Sequence, residues 1–232
     1  MNPMLGAGRT IIALAQLSVL LFTTPRALFV QVGDDTLGSK CDAYPGFISA
    51  FCLGLPLPWA TALVGLGLLI VASGFAPRYT AILHAWLSLS FTSVATLPDG
   101  GDVIAQGYTF LLIPVLLGDR RTWHWQKPST SPRLAGVTWA GLWTLRLQMA
   151  FIYFDSSVSK FSVDAWHQGT AIYYVTRMEY FGSAGTFNAL FHAVTAIPAL
   201  ALALSWGTMI AELTLAASCS YPDHALRCWP GF

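Results

Sequence analysis

Residues 145–174 read LRLQMAFIYFDSSVSKFSVDAWHQGTAIYY, an apolar stretch that carries Arg146, Gln148 and Lys160. A helix that begins at Leu134 would reach Arg146 after roughly 18 Å and Lys160 after roughly 39 Å, at about 1.5 Å per residue. Charged side chains inside a membrane helix are costly, so they usually face the interior of a bundle and mark a site. The stretch therefore predicts a membrane helix with Arg146 deep inside it and Lys160 near its far interface.

The composition of the chain is typical of a membrane protein. Of its 232 residues, 55% are hydrophobic and 10% are charged, and the mean hydropathy of +0.57 lies far outside the range of ordinary soluble domains. The formal net charge is +1 and no segment carries a long basic stripe, so no nucleic-acid partner is expected. We predict an all-α fold, a polytopic transmembrane bundle of about six spans over residues 1–217.

The six predicted spans follow from the apolar segments and the polar connections between them. They cover residues 11–22, 58–75, 81–96, 99–117, 134–158 and 186–217. Asp102 is expected to cap the fourth span, and Pro198 to kink the sixth. Residues 159–185 indicate an interfacial or partly re-entrant helix. Residues 218–232 form an atypical polar tail, which leaves a truncated chain as an alternative.

The loop GDRRTWHWQKPSTSPR, residues 118–133, predicts the orientation of the bundle. Cytoplasmic loops collect Lys and Arg, and Trp gathers at the membrane interface. This loop and the N terminus are therefore expected inside, in a multi-pass protein of the cytoplasmic (inner) membrane. The same topology places Lys160 and the segment that contains Cys41 and Cys52 outside.

Cysteine spacing bears on metal binding and on redox chemistry. The four cysteines fall in two pairs, neither with the spacing of a zinc site, so no metal site is predicted. In an oxidising compartment, Cys41 and Cys52 would form a disulfide. Two free thiols are an equally weighted alternative.

Arg146 and Glu212 are the charges that lie furthest inside the predicted spans. Counted from the cytoplasmic ends, Glu212 lies roughly 8 Å and Arg146 roughly 18 Å into the membrane. We predict that the two form a structural ion pair, because an unpaired buried charge costs several kcal/mol. A proton-relay role for this pair is the weaker alternative.

Lys160 and His84 are the candidate catalytic residues. Lys160 would act as a base only if burial or a nearby cation lowered its pKa, and Asp155 and Asp164 are close enough in sequence to favour the charged form instead. The alternative is a lysine that extends from the helix end to the lipid headgroups. A lone histidine on an apolar helix, such as His84, is more often a hydrogen-bonded packing residue.

The order of residues around Lys160 resembles a known superfamily. It is similar to the vitamin K-dependent gamma-carboxylases, the bacterial horizontally transferred transmembrane (HTTM) domain proteins and, among these, the sporulation-delaying protein B type. The matching residues are Arg146, Gln148, Tyr153, Phe154, Lys160, Trp166 and Gly169. The resemblance implies that Lys160 and His84 are catalytic, and that a quinone-like or other lipid-soluble molecule binds nearby. The ligand-binding residues it implies are Arg146, Gln148, Tyr153 and Trp166.

Two functions from different classes follow from the resemblance. The first is enzymatic, the modification or maturation of a secreted peptide at the outer membrane face. Full vitamin K-dependent carboxylation is not expected, because nothing in the chain matches the large luminal domain of the carboxylases. The second is a non-catalytic accessory role in toxin-peptide maturation or export, together with a companion maturation protein. A transporter ranks last, since only Pro198 suggests a broken helix.

Overall fold

A computed structural model describes residues 3–23, 28–29, 41–42, 45–95, 100–127, 132–178 and 185–220. Regular structure in these ranges is helical, with no extended strand, which confirms the all-α prediction. The α-helices are α1 (Pro3–Phe22), α2 (Leu57–Ser73), α3 (Pro77–Val94), α4 (Gly100–Leu116), α5 (Ala135–Phe161), α6 (Asp164–His167), α7 (Ala171–Val175), α8 (Gly185–Thr195) and α9 (Pro198–Ser220).

Proline and glycine set the ends of several helices. α2 carries Pro58 in its first turn, where the missing N–H would have no helical partner. It ends at Gly74, whose φ of 83° is the left-handed conformation that favours glycine, and whose N–H donates to the Val71 carbonyl. Pro77 is then the first residue of α3. The predicted short turn between the second and third apolar segments is therefore present.

The chain divides into two compact units, one with the described residues up to Leu145 and the other with those from Arg146. In the first unit, α3 lies against α2 and α4, and α2 lies against α1. Its buried apolar core joins side chains of α1, α2 and α3 with those of Phe29 and Phe51. Cys41 and Cys52 form a disulfide in this unit, with Cα atoms 5.3 Å apart. The structure thus selects one of the two alternatives for these thiols.

In the second unit, the last turns of α5 and the short helices α6 and α7 line up beside α9. Ser157 donates to the Met209 carbonyl at 3.1 Å, and both residues are fully buried. α8 contacts α7 and α9. The predicted interfacial or re-entrant segment is thus a pair of short helices that lie against α9.

Two described helices, Leu5–Phe22 within α1 and Pro198–Ser220, are long and apolar enough to cross a membrane. α2 and α4 are also apolar but shorter, so the six-span count stays a prediction. The predicted sixth span is two helices. The helical conformation is interrupted at Ala196 and Ile197, and Pro198 is the first residue of α9. Asp102 was predicted to cap the fourth span from the position before the helix. In the structure it lies inside the first turn of α4. Residues 221–232 of the predicted tail lie outside the described residues.

Candidate functional site

The ammonium group of Lys160, in the last turn of α5, is surrounded by hydrogen-bond acceptors. It donates to both carboxylate oxygens of Glu212, each at 2.8 Å. It also donates to the hydroxyl and carbonyl oxygens of Ser156, at 2.6 and 3.2 Å. The Ser156 hydroxyl in turn donates to Glu212 at 3.2 Å. All three ammonium protons therefore have acceptors, and the ion pair ties α5 to α9.

The ion pair is largely shielded from solvent, since each side chain is 17% exposed. The ring of Trp166 lies 5.3 Å from Lys160 Nζ, a distance that allows a cation–π contact. Two of the residues predicted around the site, Lys160 and Trp166, are thus brought together.

The position of Glu212 along α9 corrects the depths predicted for Lys160 and Glu212. It lies about 21 Å from the first residue of α9 and about 12 Å from the last, at 1.5 Å per residue. The sequence placed Lys160 near the outer face and Glu212 near the inner face, and their direct contact excludes that combination. The physical reason is that α6 and α7 occupy the side of the N-terminal half of α9, so the end of α5 meets α9 further along.

Arg146 is not the partner of Glu212. It precedes Lys160 by fourteen residues of the same helix, about 21 Å, which is beyond the reach of its side chain. The predicted Arg146–Glu212 pair is therefore wrong, and the cation that Glu212 binds is Lys160. Helical spacing places Arg146, Tyr153 and Lys160 along one stripe of α5, and Gln148 about 140° away from it. Gln148 is exposed.

Sequence reasoning missed the partners of Lys160. Ser156 lies one helical turn before Lys160, a spacing that brings side chains together, and this signal could have identified it. Asp155, weighed as a partner, is exposed on another side of α5. Glu212 carries no local signal, because 52 residues separate it from Lys160.

A cavity of about 460 Å³ lies beside the α6–α7 connection and the start of α9. Its lining includes Gly169, Thr170, Tyr173, Thr195 and Leu202. None of the predicted site residues lines it. Gly169 has a φ of 75°, and a Cβ there would overlap the Leu202 side chain. The glycine of the matching sequence pattern is thus required for close contact with α9.

Arg177 contacts two of the residues that line this cavity, Tyr173 and Thr195. Its guanidinium donates to the Tyr173 carbonyl at 2.8 Å, to Thr195 Oγ1 at 3.0 Å and to the His192 carbonyl at 3.1 Å. It also lies 3.6 Å from the centre of the Tyr173 ring. Arg177 therefore joins α7 to α8.

His84 lies in α3 of the first unit, where it is 1% exposed. Its Nε2 lies 3.0 Å from Gln16 Oε1, and the Gln16 amide donates to Ser88 at 2.8 Å. This is the environment of a hydrogen-bonded packing residue. The structure describes His84 in one unit and Lys160 in the other, and the catalytic role of His84 stays a prediction.

A second cluster of buried polar side chains lies in and beside the basic loop of the first unit. Asp119 and Arg121 form a buried ion pair at 2.6 Å, and Arg121 also donates to the His124 carbonyl at 2.6 Å. Arg9, 1% exposed, donates to Thr80 at 2.8 Å. Burial, reinforced by the charges of Arg9 and Arg121, lowers the pKa of His124 to about 4.

No family model and no solved structure matches the chain. It is 27% identical to the sporulation-delaying protein SdpB of Bacillus subtilis (strain 168) over 217 aligned positions, which span 90% of this chain and 66% of that protein. It is 33% identical to the uncharacterized protein YitO of the same organism over 235 aligned positions, which span 96% of this chain and 73% of that protein. On that identity and coverage, the chain belongs to the family of YitO.

Proposed function

We propose that this chain is a multi-pass protein of the cytoplasmic membrane that assists the maturation or export of a secreted peptide without catalysing a reaction. The similarity to sporulation-delaying protein SdpB over 90% of the chain supports the family relationship, and the resemblance around Lys160 implies the link to a secreted peptide. The observation that carries the non-catalytic role is the complete engagement of the Lys160 ammonium by Glu212 and Ser156.

The geometry around Lys160 argues against a base. A lysine abstracts a proton only as the neutral amine, with its lone pair directed at the substrate. Here each ammonium proton meets an acceptor, and the Glu212 carboxylate stabilises the positive charge. The arrangement does not fit a quinone-like molecule that Lys160 would deprotonate. Lys160 is better explained as the structural link between α5 and α9.

The membrane location and orientation rest on separate observations. Two long apolar helices, Leu5–Phe22 and Pro198–Ser220, support insertion into the bilayer. The Cys41–Cys52 disulfide is typical of an oxidising compartment, which supports an outer position for that segment and an inner N terminus. The expected partners are the bilayer, the secreted peptide and a companion maturation protein.

A charge-swap experiment separates the accessory role from catalysis. Secreted peptide would be measured by mass spectrometry in producing cells that carry Lys160→Glu, Glu212→Lys or both substitutions, at matched membrane levels. If the ion pair is structural, each single substitution lowers the yield of mature peptide, and the double variant restores it at least in part. Asp155→Asn, which changes an exposed carboxylate of the same helix, is the matched control and should leave the yield unchanged.

The catalytic alternative gives a different pattern. If Lys160 performs the chemistry, the double variant stays as inactive as Lys160→Glu, because a glutamate at position 160 cannot replace an amine. Lys160→Arg, which keeps the charge, would then also fail. Either result would overturn the accessory role, provided that the variants reach the membrane in normal amounts.

A further inference from the structure

The loop after α4 carries more positive charge than its own acid can neutralise. Residues 118–133 contain four basic side chains, Arg120, Arg121, Lys127 and Arg133, and a single acid, Asp119. Asp119 is buried, and both of its carboxylate oxygens accept hydrogen bonds from the Arg121 guanidinium. Arg120, next in the chain, is exposed. The loop thus presents basic side chains without a local acid to pair with.

Arg120, in the loop, shares a pocket with a second arginine that lies in a helix. Arg78, in the first turn of α3, lines the same pocket of about 190 Å³, together with Leu117, Gly118 and Leu134. Within the described part of the chain, no carboxylate pairs with Arg78 or Arg120. The described contact of Arg78 is with the ring of Tyr79, whose centre is 5.2 Å away. Two arginines from different elements therefore line one pocket, whose walls also include Leu117 and Leu134.

The surroundings of the pocket match the surface of a membrane. Tyr79, Trp123 and Trp125 are exposed at this end of the unit, by 67%, 41% and 52%. Trp125 is held there by a hydrogen bond from its indole N–H to the Ser73 carbonyl at 3.0 Å. Exposed Trp and Tyr side chains gather at the level of the lipid headgroups. A ligand of this pocket would have both a charged and an apolar part.

We propose that Arg78 and Arg120 bind the phosphate of an anionic phospholipid, with Leu117 and Leu134 beside the part of the lipid that enters the bilayer. Arginine offers planar pairs of donors that match phosphate oxygens. Free inorganic phosphate has the same oxygen acceptors, but it would gain nothing from the leucine walls. The proposal rests on the membrane location proposed above, and it assigns this pocket to the cytoplasmic leaflet, whose lipids carry negative charge.

The test uses the full chain in nanodiscs made of phosphatidylcholine with a minor share of phosphatidylglycerol. Native mass spectrometry would count the phosphatidylglycerol molecules that stay bound after release from the nanodisc. We expect Arg78→Gln and Arg120→Gln each to weaken retention about tenfold, because each removes charge-assisted hydrogen bonds to the phosphate. Arg133→Gln removes the same charge from an exposed position of the same loop, outside the pocket lining, and should change retention less than twofold.

Three outcomes would overturn the proposal. Equal losses in all three variants would mean that diffuse surface charge, not a site, holds the lipid. Displacement of the lipid by inorganic phosphate at equal concentration would assign the pocket to soluble phosphate. Equal retention of phosphatidylcholine would exclude selection by headgroup charge. Arg120→Lys keeps the charge but loses the paired donors, so it should fall between wild type and Arg120→Gln, and it tests the site even if a glutamine variant does not fold.

The membrane location has its own readout, so the two proposals can fail separately. Flotation of cell extracts on a density gradient tests membrane insertion, whatever the lipid preference of the pocket. A protein that floats with membranes but retains both lipids equally would leave the location standing and remove the lipid site.

Discussion

At the scale of single residues, the structure explains why position 169 requires glycine. It belongs to the pattern that resembles the gamma-carboxylase superfamily, yet it carries no side chain for chemistry. Its positive φ and its contact with Leu202 leave no room for a Cβ. The role of this residue is therefore to let the α6–α7 connection approach α9.

Gly169→Ala should destabilise the protein. The left-handed backbone and the overlap with Leu202 together predict a loss of about 3 kcal/mol in the free energy of unfolding. Thermal unfolding in detergent would show this as a lower midpoint. Gly207→Ala is the matched control, because a Cβ at this helical position meets nothing within 4 Å. That variant should be neutral or slightly stabilised; a similar loss in both would contradict the explanation.

His124 should make stability depend on pH. Its Nε2 lies 3.4 Å from Thr10 Oγ1, whose proton goes to the Ala72 carbonyl, so Nε2 is the donor. Nδ1 is buried and has no hydrogen-bond partner among the described residues, so a proton there would lack an acceptor among them. The pKa of about 4 lies below the ordinary value of 6.5, so the unfolded chain binds the proton first. Stability should therefore be full above pH 6.5 and fall as the pH drops toward 4.

The measurement for His124 is the unfolding midpoint between pH 7 and about pH 4, for wild type and for His124→Gln. The variant loses the titrating group, so its midpoint should fall less over this range than that of wild type. Every other titratable group is common to the two proteins, so the comparison removes their contribution. Parallel curves for the two proteins would rule out His124 as the source.

At the scale of helices, Ser205 links α9 to α7. Its buried hydroxyl donates to the Gly169 carbonyl at 3.2 Å and accepts from the Ile172 N–H at 3.3 Å. Ile172 lies in the first turn of α7, where backbone N–H groups have no partner within the helix. A side chain of one helix thus supplies a bond that another helix lacks.

Ser205→Ala should weaken this contact between helices. The substitution leaves a carbonyl and an N–H without a partner, which should cost about 1–3 kcal/mol in the free energy of unfolding. Ser218→Ala in the same helix serves as the control, since the Ser218 hydroxyl donates to the Thr214 carbonyl of its own helix. Amide hydrogen exchange would detect the loss, and we expect faster exchange in α7 for Ser205→Ala alone. Equal exchange in the two variants would exclude the link.

At the scale of the whole molecule, the Cys41–Cys52 disulfide can be used to test on which side of the membrane its segment lies. In a background of Cys219→Ser and Cys228→Ser, a membrane-impermeant maleimide applied to intact cells should label Cys41 and Cys52 only after reduction. The reason is that an oxidised pair has no free thiolate, and that the reagent reaches thiols on the outer face alone. Labelling without reduction would contradict the disulfide, and labelling restricted to lysed cells would reverse the proposed orientation.

The helices are the part of the fold that sequence predicts well. The limits of α2, α3, α4 and α5 agree with the apolar segments within a few residues, because apolar helices follow hydrophobic runs bounded by Pro, Gly and charges. The prediction of one continuous sixth span was wrong at Pro198. Sequence reasoning treated the proline as a kink, whereas two short helices pack at the break and α9 starts there.

The sequence by itself determined that this protein is all-helical and apolar, because composition and hydrophobic runs depend only on neighbouring residues. Only the tertiary structure decided that Glu212 pairs with Lys160. Their contact joins residues 52 positions apart, and it depends on how α6 and α7 lie along α9. A carboxylate pairs with the cation that is nearest in space. The number of residues between Arg146 and Glu212 does not give that distance.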